Sequence, residues 1–200
     1  MNNHFMMLLL LNITLSKESL RFQYTMEQGY DSSCGMSVVA TALDLYWGVP
    51  SAESELIAST LGTKLEEGDY TVSLADMAVA FEERGVAARA YKMDWEGLNS
   101  LVAKGYSPVV VHYSEPEKHF ALLLGFKDGR AIAVDPARGL ESLSRKAFEE
   151  RYSGAAMALA SRTLKPDAVL VGEAMAKASG KRSRLEDSAA RFAMGSGRRW

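Results

Sequence analysis

One cysteine, Cys34, stands six residues after Gln28 in a chain that offers three histidines, at positions 4, 112 and 119, and an aspartate, Asp135, directly before Pro136. Those side-chain types suit nucleophilic acyl transfer. A thiolate attacks a carbonyl, an imidazole takes and returns the proton, a third group fixes the imidazole's tautomer, and a nearby N–H donor stabilises the oxyanion. Gln28, in a short Gly-containing loop, has an amide N–H that can reach the space beside the sulfur. The bland alternative is that a lone cysteine on a helix is a small buried hydrophobe. Of the histidines, His4 lies in an ambiguous N-terminal segment and His112 lies inside a strand, where a structural role is the expectation. His119 opens a strand after the loop Ser114–Lys118 and is free to orient.

The elements that must position these groups follow from spacing. Val38, Val39, Ala42, Leu45 and Tyr46 recur at helical period, Asp31 or Ser32 is suited to cap the N-terminus, and Gly48 with Pro50 ends the helix. Cys34 then falls in the first turn, where unpaired N–H groups and the positive end of the helix dipole favour a thiolate. Asp128-Gly129 signals a hairpin. With those two as the turn, Lys127 faces Arg130 and Leu122 faces Asp135, which leaves His119 three residues, or ~10 Å, farther along. A longer loop or a bulge brings His119 and Asp135 within reach at the open end of the hairpin. Alone, Asp135 reads as a turn residue before proline.

The remaining chain divides by period. After an extended Leu20–Met26, helices are expected over Ala52–Leu61 (Ser51 as cap, Gly62 as stop), Leu74–Arg84 (capped by Ser73 with Asp76) and from Asp94 to Gly105. Strands are expected at Pro108–Tyr113, His119–Phe126, Ala131–Asp135 and Met157–Leu164, with a short helix over Ser144–Tyr152. Helices first and an antiparallel sheet second make an α+β domain, residues 20–164. Residues 165–200 carry eight Lys/Arg against four Asp/Glu and read as a basic C-terminal tail, partly helical or disordered, its charge either a solvated face or a surface for an acidic partner or a membrane. Residues 1–19 include Phe5–Leu11, an apolar run that reads either as a signal-peptide core or as a buried or edge segment. That run is too short to span a membrane, so no integral membrane span is expected. The net charge of −2 gives no reason to expect nucleic acid as a partner. No metal or other cofactor is called for.

Gln28, the run Tyr30-Asp-Ser-Ser-Cys34-Gly35 entering an Ala/Val-rich helix, His119-Phe120 opening an apolar strand that ends in Gly125, and Val134-Asp135-Pro136-Ala-Arg-Gly139 together resemble the bacteriocin-processing, or double-glycine leader, peptidases. The resemblance spans roughly Phe22 to Leu164. It implies a papain-like cysteine proteinase fold with Cys34 as nucleophile, His119 as general base and acid, Asp135 as orienting carboxylate and Gln28 as oxyanion-hole donor. It also implies cleavage after a small-residue motif such as Gly-Gly. The best-known members fuse this domain to a transmembrane export channel and an ATPase, and neither a long apolar span nor a phosphate-binding Gly-Lys-Ser/Thr loop occurs here. The expectation is therefore a stand-alone relative whose peptide or protein substrate belongs to a secretion or surface-fibre system. Export or the periplasm is the expected setting, with the cytoplasm as the alternative. Two other functions remain open: a non-catalytic module that docks export substrates, and a transglutaminase-like or amidase enzyme using the same triad.

Overall fold

The computed structural model describes residues 20–30, 33–69 and 71–180. His4, the Phe5–Leu11 run, the two expected cap residues Asp31 and Ser32, and residues 181–200 lie outside them. Helix α1 (Cys34–Thr41) continues through a π-helical turn (Ala42–Tyr46), and α2 (Glu53–Glu66) and α3 (Leu74–Glu82) follow. Then come β1 (Ala87–Lys92), α4 (Trp95–Ala103), β2 (Val109–Tyr113), β3 (His119–Lys127), β4 (Arg130–Asp135), β5 (Gly139–Ser144), α5 (Arg145–Arg151) and β6 (Tyr152–Ala160). The six strands form one antiparallel sheet in the order β1-β6-β2-β3-β4-β5.

Strand alternation explains why this sheet is covered on both faces. Val110, Phe120, Leu122, Leu124, Val134, Met157 and Leu159 point to one side and pack with α1 to α3, whereas Val109, Val111, Tyr113, Ala121, Leu123, Ala131 and Ala156 point to the other and pack with Trp95, Leu98 and Phe148 of α4 and α5. Helix α1 is buried along its whole length after Cys34 and packs on β3, so the first turn is anchored beside the strand that begins with His119.

Local signals set several boundaries as expected. Ser73 and Asp76 form a reciprocal capping box on α3, Asp94 accepts the Gly97 N–H at the start of α4, and Gly48, Gly85 and Gly105 take the left-handed conformation that closes helices. Others moved. Residues 20–25 form turns instead of an extended segment, with Thr25 N–H bonded to Phe22 O. Helix α2 runs through Gly62, an open position where nothing crowds the backbone, and stops near Gly68. Ser51 does not cap it, because its hydroxyl bonds the Val49 carbonyl. Two strands lack any apolar run: β1, where only Ala88 is buried, and β5, which is half-buried at the opposite edge. The last strand begins at Tyr152 and ends at Ala160, because pairing with β1 and β2 extends it toward α5.

The packed unit also passes the boundary expected at residue 164. Asp167 caps helix α6 (residues 168–180) by accepting the N–H groups of Val169 and Leu170, and its own N–H donates to Tyr46 O at 2.7 Å. Ala174 and Ala178 are buried, and Met175 fills the space left by Gly125. Residues 165–180 balance Lys165 and Lys177 against Asp167 and Glu173, the excess of Lys/Arg lies outside the described residues, and small residues on one face let this helix dock.

Candidate active site

The β3–β4 hairpin shows how His119 and Asp135 meet. Lys127 faces Arg130 across the two-residue turn, but the register shifts between Leu123 and Gly125, after which Leu122 faces Val134 instead of Asp135. One extra residue changes the parity of the strand. Continuing that register sets Asp135 opposite Ala121, so Asp135 and His119 emerge on the same face. His119 Nε2 and Asp135 Oδ1 are 2.8 Å apart. Nδ1 is left as the ring nitrogen available to the sulfur of Cys34.

Cys34 is half-buried at the first position of α1 and shares an open cleft of about 570 Å³ with Gln28 and His119. Ser33 occupies the N-cap position without a side-chain cap, so the first N–H groups of the helix, beside Cys34, lack that partner. Gln28 sits at the same cleft, its N–H donating to Pro136 O at 3.1 Å, and its side-chain Oε1 is buried with no partner among the described residues.

Asp135 is fully buried and well held. Its Oδ1 also accepts the N–H groups of Ala137 (2.8 Å) and Arg138 (3.1 Å), and its Oδ2 lies 3.9 Å from Arg138 Nη1 and 3.8 Å from Arg151 Nη2. Burial works to raise its pKa, but the bond and charge of His119, the Ala137 N–H and Arg138 together hold it below the usual carboxylate range. Burial likewise works to lower the His119 pKa. The hydrogen bond to Asp135, the neighbouring Cys34 side chain and the charge on both overcome it and raise the imidazole to about 9. At neutral pH the ring is therefore a cation, the partner a thiolate needs. Behind Asp135, Arg151 lies over the Tyr113 ring (4.3 Å) and bonds Glu141, a half-buried arrangement of alternating charge.

The cleft contains residues that sequence reasoning did not select. Val72, Ser73 and Leu74, from the segment entering α3, form one wall, and Phe120 and Ala155 contribute another. A side chain on Gly35 would lie 2.5 Å from Val72 Cγ1, so this wall presses on the turn that carries Cys34. A loop residue with no catalytic chemistry gives no sequence signal of such a role. His112 also faces the cleft, yet Nδ1 pairs with Ser153 Oγ (2.9 Å) and its ring packs against Phe120; burial first, then Lys118 and His119, lower its pKa. It stands apart from the His119–Asp135 pair. Among the described residues no cluster of His, Cys, Asp and Glu is arranged to hold a metal, and no helix is long and apolar enough to cross a membrane.

Comparison with known proteins bears on the family and the fold. The chain is 28% identical over 141 residues to the probable functional amyloid protease FapD of Pseudomonas aeruginosa, covering 70% of this chain and 61% of that relative's length. In fold it resembles the peptidase domain of Streptococcus ComA, a bi-functional ABC transporter (TM-score 0.58, 21% identity, 70% of this chain and 99% of that one). A double glycine motif protease from an AMS/PCAT transporter, solved with its leader peptide, is also similar (TM-score 0.53, 20% identity, 72% and 91%). Residues 21–163, most of the chain, match the Peptidase C39 family, and the chain belongs to that family.

Proposed function

We propose that this protein is a cysteine endopeptidase that cleaves a secretion-related peptide or protein after a Gly-Gly-like motif. The observation that carries the reading is the 2.8 Å His119–Asp135 contact beside Cys34 in one open cleft. In the proposed reaction the Cys34 thiolate adds to the scissile carbonyl, and the C=O electron pair moves to oxygen. The side-chain N–H of Gln28 and the Cys34 backbone N–H hold that charge. As the tetrahedral species collapses, the C–N bond breaks and His119 gives its proton to the departing amine. A water then loses a proton to His119 and attacks the thioester, releasing the carboxylate and restoring the thiolate. Asp135 holds the imidazole with Nδ1 toward sulfur throughout.

Small residues before the scissile bond fit a nucleophile hemmed by Val72, Leu74 and Phe120. The relatives point to the substrate class, since one is named for a functional amyloid and another was solved with a leader peptide. The test is incubation of purified protein with a peptide carrying Gly-Gly before the scissile bond, without ATP or membrane, and identification of the fragments by mass spectrometry. Cleavage after Gly-Gly that vanishes in Cys34→Ala is expected. Binding without fragments, identical in Cys34→Ala, would favour a docking module.

A further inference from the structure

The stretch between the proposed oxyanion donor and the nucleophile is tied at both ends to a single side chain. Glu53, the first residue of α2, is half-buried; its Oε2 accepts the Gly29 N–H at 2.8 Å, and its Oε1 lies 2.5 Å from Ser33 Oγ. Gly29 directly follows Gln28 and Ser33 directly precedes Cys34. A Cβ on Gly29 would lie only 3.1 Å from Glu53 Oε2, so glycine is what lets the carboxylate come this close to the backbone. On the far side the Gln28 N–H is fixed to Pro136 O, in the loop that also supplies the N–H donors to Asp135. Gln28 is thus held between the triad loop and α2.

From this arrangement we infer that Glu53 is a positioning residue for the oxyanion hole, setting the separation of Gln28 from Cys34 through its two carboxylate oxygens. The inference rests on Gln28 being the oxyanion donor. An oxyanion hole stabilises charge only when its donors already lie where the charge develops, so a loop free to shift loses rate in the chemical step while substrate binding persists. Glu53 suits the task because a carboxylate offers two acceptors to two donors on opposite ends of the loop.

Geometry, not charge, is what the inference requires, and glutamine separates the two. The Ser33 hydroxyl has one proton but two acceptors, Glu53 Oε1 and Tyr30 O at 2.8 Å. In Glu53→Gln the amide oxygen accepts from Gly29, the amide N–H donates to Ser33 Oγ, and that hydroxyl donates to Tyr30 O, so every group is satisfied.

The experiment is a double-mutant cycle on the full chain with a Gly-Gly peptide. Glu53→Ala is expected to lower kcat by ~10-fold or more with little change in KM, Glu53→Gln to restore most of it, and Glu53→Ala to cost less than ~2-fold in the Gln28→Ala background, since the two act as a unit. Alkylation of Cys34 by iodoacetamide, which develops no oxyanion, should proceed in Glu53→Ala at the wild-type rate. Unchanged kcat in Glu53→Ala, losses that multiply with Gln28→Ala, equal impairment of the Ala and Gln variants, or slowed alkylation would each overturn the inference. If Glu53→Ala does not melt cooperatively, Ser33→Ala removes the other end of the tie and carries the same cycle. Full activity in Gln28→Ala would instead remove the oxyanion assignment beneath it.

Discussion

Replacing Asp135 by asparagine should move the alkaline limit of activity and leave the site's shape nearly intact. Asp135 Oδ1 accepts three donors, His119 Nε2, Ala137 N–H and Arg138 N–H, and an amide oxygen in the same place can accept all three. What is lost is the charge. A hydrogen bond to an ionised partner is worth ~1.5–3 kcal/mol against ~0.5–1.5 kcal/mol for a neutral one, a difference of about 1–1.5 kcal/mol. At 1.36 kcal/mol per pH unit, the alkaline limb expected near 9 for the wild type should fall by about one unit, toward 8. The assay is kcat/KM for a Gly-Gly peptide from pH 5 to 10, with Cys34 alkylation over the same range to follow the thiolate–imidazolium pair. The new amide N–H would face Arg138 and Arg151, so a lower melting temperature should accompany the shift. An Asp135→Asn profile whose alkaline limb coincides with that of the wild type would refute the assignment of Asp135 as the group that holds His119 protonated.

Other consequences follow from the same geometry. Because folding raises the His119 pKa from 6.5 to about 9, its contribution to stability is complete below pH ~6.5 and is lost as pH rises through ~9; the melting temperature should decline across that window in the wild type and not in His119→Ala. Arg151→Met leaves the buried Asp135 and the half-buried Glu141 without their shared cation, with only Arg138 still beside Asp135, and should destabilise by ~1–3 kcal/mol in urea titration; no change in the midpoint would mean the cation is dispensable. Gly139→Ala places a Cβ 2.3 Å from Arg21 O at φ +77°, so a loss of ~1–3 kcal/mol is expected, with lowered kcat because Arg21 also holds the Ala137 and Arg138 carbonyls; wild-type melting would show that this crossing relaxes freely.

Much of the site was legible because its chemistry demands rare residues in strong local contexts. A lone cysteine at a helix start, a histidine opening an apolar strand and an Asp-Gly turn between His119 and Asp135 carry their own signals, and Lys127 does face Arg130. The bulge at Leu123 to Gly125 was anticipated only as one of two ways to bring the pair together. Met175 of α6 packs beside Gly125 at that bulge, a tertiary contact from a segment read as a tail. Strands β1 and β5 escaped for a related reason. Ala-Ala-Arg-Ala-Tyr-Lys and Gly-Leu-Glu-Ser-Leu-Ser have no buried run of their own, and they are strands because a neighbour offers them an edge. Glu53 was invisible in the same way, since a glutamate at a helix start is ordinary until the loop it grips is seen.

The claim that Cys34 is the nucleophile is tested most directly by rapid acid quench of enzyme mixed with a Gly-Gly peptide, followed by intact-mass and peptide mapping. The account predicts a transient thioester on Cys34 bearing the fragment that ends in Gly-Gly, accumulating in wild type and absent in Cys34→Ala. Fragment released at the wild-type rate by Cys34→Ala, or an acyl group mapped to any other residue, would contradict it.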